Sequence, residues 1–233
     1  MVEITWLGHS AFQLRLESGE VILMDPWVEG NPKFPAHHQF QRVDAMLISH
    51  PHQDHLHGCI PLAKKFKPKM IAIYETSLWL ASKGVENASG MGKGGTQDVV
   101  AGVKATMTHA VHSAGIDGGD DIIYGGEPAG YVLTFPDNRT LYFAGDTNVF
   151  SDMQLIEKLY RPELAFLPIG DFYTMGPREA ALACRLLNTK KVIPMHWGTF
   201  PMLTGTPQAL AAQLKDFPAT EVWALDPGKP VKW

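Results

Sequence analysis

The sequence predicts an α/β chain in which two β-sheets stack face to face with helices outside. Three observations carry this. Both halves of the chain run short apolar strands first and helices later, the order of a layered sheet-and-helix structure. Strands end in His or Asp at Asp25, His50, His112, Asp146, Asp171 and His196, each followed by a loop, which places donor side chains on one rim. No linker and no short-period repeat interrupts the 233 residues, so the chain reads as one domain, 1–233.

In chain order, residues 1–25 read as three short strands, the last being Val21-Ile22-Leu23-Met24 before Asp25. Residues 27–41, with Pro32 and Pro35, form an irregular loop long enough to border a site. The apolar run 43–48 is a buried strand, and 58–66 is a helix. A strand at 69–74 and a helix at 75–82 follow. The Gly-rich stretch 83–96 reads as a flexible surface turn, or as a loop offering N–H groups and Lys93 to an anion. A strand at 103–109 leads to a Gly-rich, acidic flap at 115–130. Segments 131–135 and 140–143 form a hairpin. A helix at 152–160, a strand at 164–171, a helix at 177–187 with Pro177 in its first turn, a strand at 191–196, a helix at 207–217 and a strand at 221–225 complete the chain. The loops 27–41, 84–98 and 115–129 would shape any pocket.

The chemistry concentrates in Ser49-His50-Pro51-His52-Gln53-Asp54-His55, between the strand at 43–48 and the helix at 58–66. Imidazole and carboxylate are ligands for Zn²⁺ and similar ions. His50 and His52, two apart in extended chain, point the same way. Asp54 and His55 follow the turn and face a second point, which suits two adjacent ions better than one. The competing reading is a solvated polar loop.

Composition excludes other classes. Net charge is −4, and the Lys/Arg block at 64–69 reads as a solvated helix end, so there is no strong nucleic-acid signal. No apolar run approaches a membrane span. The first residues read as a strand, not a signal peptide, which makes a cytoplasmic location the expectation. Cys59 and Cys184 read as buried reduced thiols, with a catalytic Cys59 as the lesser alternative.

These residues together resemble the metallo-β-lactamase superfamily: His50-x-His52-x-Asp54-His55, then His112, then Asp146 in Phe143-Ala144-Gly145-Asp146-Thr147, then His196 after an apolar strand. Trp6-Leu7-Gly8-His9-Ser10-Ala11-Phe12, Gly94-Gly95-Thr96 and Met195-His196-Trp197-Gly198-Thr199-Phe200 look like its compact UPF0173 branch, akin to L-ascorbate-6-phosphate lactonase-like proteins. The resemblance implies a four-layer αββα sandwich, the metallo-β-lactamase fold, with two divalent metal ions at one edge. His50, His52 and His112 would hold the first, and Asp54, His55 and His196 the second, with Asp146 bridging. No cysteine falls at a ligand position, unlike β-lactamases with a Cys ligand. The all-N/O set implies Zn²⁺ and leaves Mn²⁺, Fe²⁺ or Ni²⁺ open. His112 is preferred to His109, because positions three apart on a strand face opposite ways.

The implied activity is hydrolysis of a small ester, lactone or phosphoester by a hydroxide between two metals. Asp54 and His9 are the candidate catalytic residues. Asp54 would steer the water or take its proton. For His9 three roles stand open: proton donor to the leaving group, anion holder, or hydrogen-bond partner of a ligand carboxylate. Asp25 and Asp171 are expected to orient ligand rings. His57 is expected beside the site or at a helix start, and His37 and His38 in solvent. The alternatives are a metal-dependent nuclease or phosphodiesterase acting on RNA or nucleotides, and a noncatalytic metal-stabilised binding protein. A redox diiron reading lacks its carboxylate in the first cluster and its electron-carrier domain. The expected partner is a small-molecule substrate, and a homo-oligomer is compatible with the chain.

Overall fold

The computed structural model describes residues 1–233. The first half supplies β1 (Val2–Trp6), β2 (Phe12–Leu16), β3 (Val21–Met24), β4 (Ala45–Leu47), α1 (Gln53–Leu56), α2 (Cys59–Phe66), β5 (Lys69–Ile73), α3 (Tyr74–Ser82) and β6 (Ala88–Met91). Then come β7 (Thr96–Asp98), β8 (Lys104–His109), β9 (Gly115–Asp117), β10 (Ile122–Tyr124), β11 (Ala129–Thr134) and β12 (Thr140–Phe143). The last part supplies α4 (Met153–Tyr160), β13 (Leu164–Pro168), α5 (Pro177–Leu187), β14 (Lys191–Met195), α6 (Pro207–Gln213), β15 (Glu221–Val222) and β16 (Pro230–Lys232).

Two seven-stranded sheets result, ordered β16-β1-β2-β3-β4-β5-β6 and β15-β14-β13-β12-β11-β8-β7. Each sheet is antiparallel in one half and parallel in the other. In the first, β1–β3 are antiparallel and β3–β6 parallel. In the second, β7, β8, β11 and β12 are antiparallel and β12–β15 parallel. Parallel neighbours need crossovers, and helices supply them everywhere except between β3 and β4, which the irregular segment 25–44 joins.

The strands show why they pack this way. In β3, Ile22 and Met24 face the core between the sheets, whereas Val21 and Leu23 face α2 and α3. The same alternation splits Ala45 and Leu47 from Met46, and Ile71 and Ile73 from Met70 and Ala72. A strand buried on both faces reads as a continuous apolar run. Phe12, Phe143 and Phe166 meet at the centre, with Phe12 and Phe166 centroids 4.4 Å apart.

Both sheets are tied together at the rim that carries the donor residues. Ala129 N donates to Ser49 O at 3.0 Å, and His196 N to His9 O at 3.0 Å. Tyr131, fully buried on β11, donates its hydroxyl to Ile48 O at 2.8 Å in the other sheet. Gly145 has φ +62, and a Cβ there would lie 2.7 Å from Ala129 O and from Ser49 Cβ. Only glycine lets the loop after β12 come this close.

Several expectations are corrected. The stretch 83–96 is no free turn: β6 closes the edge of the first sheet and β7 starts the second. Lys93 is tied to Glu127 at 2.8 Å and His109 at 3.0 Å, so it offers no open anion site. The flap at 115–130 contains the small hairpin β9-β10. β16 was not anticipated; it is short, begins with proline, and is held by pairing with β1. His37 is exposed as expected, but His38 is half-buried against Phe34 and Phe40, where burial pushes its imidazole pKa down.

Tyr131→Phe should cost about 1–2 kcal/mol in urea unfolding, because it leaves the buried Ile48 carbonyl without this donor. Gly145→Ala should cost more, since it adds left-handed strain to a steric clash.

Candidate metal centre

The ends of the strands set the site. β3 ends at Asp25, β4 leads to His50, β12 to Asp146 and β14 to His196. Asp25 and His196 take left-handed backbone, with φ of 41° and 54°, as does His9 at 55°. Such geometry is sparsely populated and turns the side chain off the strand direction. His52 lies in extended backbone just before α1, and Asp54 and His55 lie on that helix. The helical turn is what separates the two pairs of donors.

The structure brings all seven expected donors together. Ligand atoms of His50, His52 and His112 lie within 4.8 Å of one another, and so do those of His9, Asp54, His55 and His196. Asp146 sits between the groups. Its Oδ2 is 2.9 Å from His196 Nε2, 3.2 Å from His55 Nε2, 3.7 Å from His112 Nε2 and 4.0 Å from His50 Nε2. His109 is exposed, packs against Phe150 and bonds Lys93, well apart from this cluster.

A layer behind the donors fixes their rings. His55 Nδ1 donates to Asp25 Oδ2 at 2.7 Å, which turns Nε2 toward Asp146. Asp25 also accepts from the backbone N–H of Ser49 at 2.7 Å and from its hydroxyl. That hydroxyl lies 2.9 Å from His50 Nδ1. Asp25 therefore orients one ring directly and a second through Ser49. Asp171 does not share this role. It is exposed and accepts from Phe172 N, because the chain turns away after β13. His57 caps α1 and lies on the cavity wall 3.8 Å from Glu29.

His9 is fully buried. Its Nε2 is 3.1 Å from Asp54 Oδ2 and its Nδ1 is 2.9 Å from Thr199 Oγ1. Trp6 and Trp197 stack at 5.5 Å and Trp6 donates to His9 O, which locks the turns bearing His9 and His196 together. His9 stands behind Asp54 and is absent from the cavity wall. Of its three open roles, the geometry supports partner of a carboxylate. Nothing local in the sequence marks Ser49 and Thr199 as parts of the site, since Asp25 and His9, the partners that reveal them, are 24 and 190 residues away.

Electrostatics explain the demand for cations. Asp25 and Asp146 are 0% and 2% exposed, and a buried carboxylate needs a compensating positive charge. Burial alone would neutralise the His55 ring, but Asp146, Asp25 and Asp54 hold it well above the usual imidazole range. Burial is likewise outweighed at His196, which Asp146 raises to about 9. His50 and His9 go the other way: burial lowers both, the His55 charge adds to it at His50, the His196 charge adds to it at His9, and His9 falls to about 4. His55 Nε2, His196 Nδ1 and Asp146 Oδ1 are buried without a hydrogen-bond partner. The His196 ring presents Nε2, not Nδ1, to Asp146; the unpartnered His55 Nε2, facing that carboxylate, and Asp146 Oδ1 are the atoms that suit a divalent cation. No thiol competes, for Cys59 and Cys184 are buried, and burial pushes both thiols up, Cys184 to about 12.

The centre opens into a cavity of about 750 Å³. Asp54, Asp146, His52, His112 and His196 form its floor, and Trp27, Tyr173, Phe200 and Met202 stand around it. No helix of the structure is long and apolar enough to cross a membrane.

Comparisons with known proteins bear on the family of the chain. A family model described as the beta-lactamase superfamily domain matches residues 20–197. A UPF0173 metal-dependent hydrolase of Solibacter usitatus is 62% identical over 232 residues, covering 100% of both chains. One of Methanosarcina barkeri is 43% identical over 230 residues, covering 99% of this chain and 98% of that one. The solved structure of Igni18, a metallo hydrolase from Ignicoccus hospitalis, is 32% identical and superposes with a TM-score of 0.87, covering 99% and 97% of the two chains. The chain belongs to the UPF0173 metal-dependent hydrolases of the β-lactamase superfamily, and it is a metal-dependent hydrolase.

Proposed function

We propose that this hydrolase acts on a small ester, lactone or phosphoester and holds two divalent cations, Zn²⁺ before Mn²⁺, Fe²⁺ or Ni²⁺. His50, His52 and His112 would hold one, Asp54, His55 and His196 the other, and Asp146 both. The observation that carries this reading is the position of Asp146 Oδ2, within 4.0 Å of ring nitrogens from each group. When bound, such a pair supplies Lewis acidity and lowers the pKa of a water toward neutrality.

The side chains would divide the remaining work. Asp54 lies on the cavity wall with its side chain 28% exposed, within reach of a water there. Burial favours its neutral form, but the His55 charge and the hydrogen bonds of His196 and His9 outweigh that and hold it far below the usual carboxylate range. It is thus a carboxylate at neutral pH, able to orient a water by accepting its proton in a hydrogen bond. His9 holds Asp54 Oδ2 in place from behind and is a positioning residue. The aromatic wall limits bulk water around the reacting bond.

Metal analysis of protein purified without added metal should return about two divalent ions per chain. A fully active protein with one ion or none would overturn the two-ion reading. His52→Ala should abolish hydrolysis across a screen of esters, lactones and phosphodiesters, and retained turnover would place the activity elsewhere. Asp25→Asn should weaken metal retention about 10–100-fold in a chelator competition, because an amide has one acceptor oxygen where the carboxylate uses two: an NH2 donor in place of Oδ2 cannot accept from His55 Nδ1 or the Ser49 hydroxyl. His9→Ala should keep its metal and lower kcat about 10–100-fold with little change in KM. Unchanged kcat would remove His9 from the mechanism.

A further inference from the structure

A second cavity of about 340 Å³ adjoins the first and shares Glu29, Gln53 and His57 with it. That volume is at the small end of ligand pockets, which run from roughly 300 to 1,000 Å³. Gln53 is the dividing side chain. Its chain neighbours His52 and Asp54 face the reaction cavity, and its own amide donates to Asp117 Oδ2 of β9 at 2.7 Å. Beyond Gln53 the wall is apolar, formed by Leu56, Ile60, Pro61, Trp79 and Ile116. Leu56 and Ile116 are 6% and 3% exposed, so the base of this cavity is part of the packed fold, whereas its mouth, at Gln53, His57, Pro61 and Asp117, is open to solvent.

Charge narrows what can lie across both spaces. Neither wall contains a Lys or Arg. The charged side chains outside the donor cluster are Glu29 and Asp117, both carboxylates. A phosphate or carboxylate group beyond the reacting bond would meet like charge and no counter-ion, which disfavours it. An uncharged apolar group would instead remove the faces of Trp79 and Ile60 from water, a favourable burial.

We propose that the second cavity is a subsite for an uncharged apolar arm of a carboxylic ester or lactone substrate, with no phosphate or carboxylate beyond the reacting bond. This rests on the reaction proposed above and narrows it. The reacting carbonyl lies over the donor cluster, the chain passes Gln53, and the arm lies between α2 and β9. Ile60 sits on α2 at the wall and is half-buried, so a larger side chain there fills the subsite with little disturbance to the core.

The test uses the metal-loaded full chain with p-nitrophenyl acetate, p-nitrophenyl octanoate and bis-p-nitrophenyl phosphate. Octanoate should exceed acetate in kcat/KM by at least about tenfold, mainly through KM. Ile60→Trp and Ile60→Asp should each bring that ratio close to one. Either variant serves if the other fails to fold. Calorimetry with octanamide, a neutral probe that needs no turnover, should show binding to the wild type and its loss in both variants. Faster cleavage of the phosphodiester than of octanoate would overturn the proposal, as would ester hydrolysis with no preference for chain length. Octanamide binding without hydrolysis of any of the three substrates would support the subsite while sinking the ester and phosphoester readings of the reaction proposed above. No octanamide binding, with esters still cleaved, would sink the subsite and leave that reaction standing.

Discussion

A carboxylate almost sealed from water, Asp146, governs the arrangement of this protein. Four ring nitrogens approach its Oδ2 within 4.0 Å, and its Oδ1 has no partner at all. Such a group is costly unless positive charge is brought to it. Two neighbouring rings answer by holding protons more tightly than free imidazole, which is the same demand a divalent cation meets. Proton and cation therefore compete for one set of nitrogens, and the need for a metal in this chain has a local electrostatic cause.

The scaffold meets that demand through both sheets at once. Donors before residue 60 come from the first sheet and those after residue 110 from the second. The rim would gape without the Ala129–Ser49 and His196–His9 backbone bonds and the Tyr131 hydroxyl, each of which crosses from one sheet to the other. Left-handed backbone at His9, Asp25 and His196 is local strain kept at the place where side-chain direction matters most. The large apolar core between the sheets holds these residues in place, because a close-packed interior tolerates little displacement.

Much of this was legible in the residues. The spacing of His50, His52, Asp54 and His55 implied two donor directions, and the structure supplies the cause: extended chain at His52, helix at Asp54. Strand alternation was the reason for preferring His112 to His109, but β8 ends at His109 and His112 lies in the loop after it; the end of the strand, not its alternation, parts them, and His109 is bonded to Lys93. Other readings failed for one shared reason. Asp171 ends a strand on the correct rim, as Asp25 does, yet one faces solvent and the other holds two groups; a strand-end carboxylate has no local mark that tells them apart. β6 and β16 are made of residues with weak strand character and exist because an edge was there to receive them.

Residue types and their spacing were enough to mark the His50–His55 cluster, its N/O chemistry and the layered class, because periodicity and ligand type are local properties of a chain; the wider donor set came from the family resemblance. The division of the donors about Asp146, the place of His9 behind Asp54 and the cation-free walls of the two cavities were decided only by tertiary structure. Each depends on residues tens to hundreds of positions apart being brought within a few ångströms, and only the packing of the two sheets sets that distance.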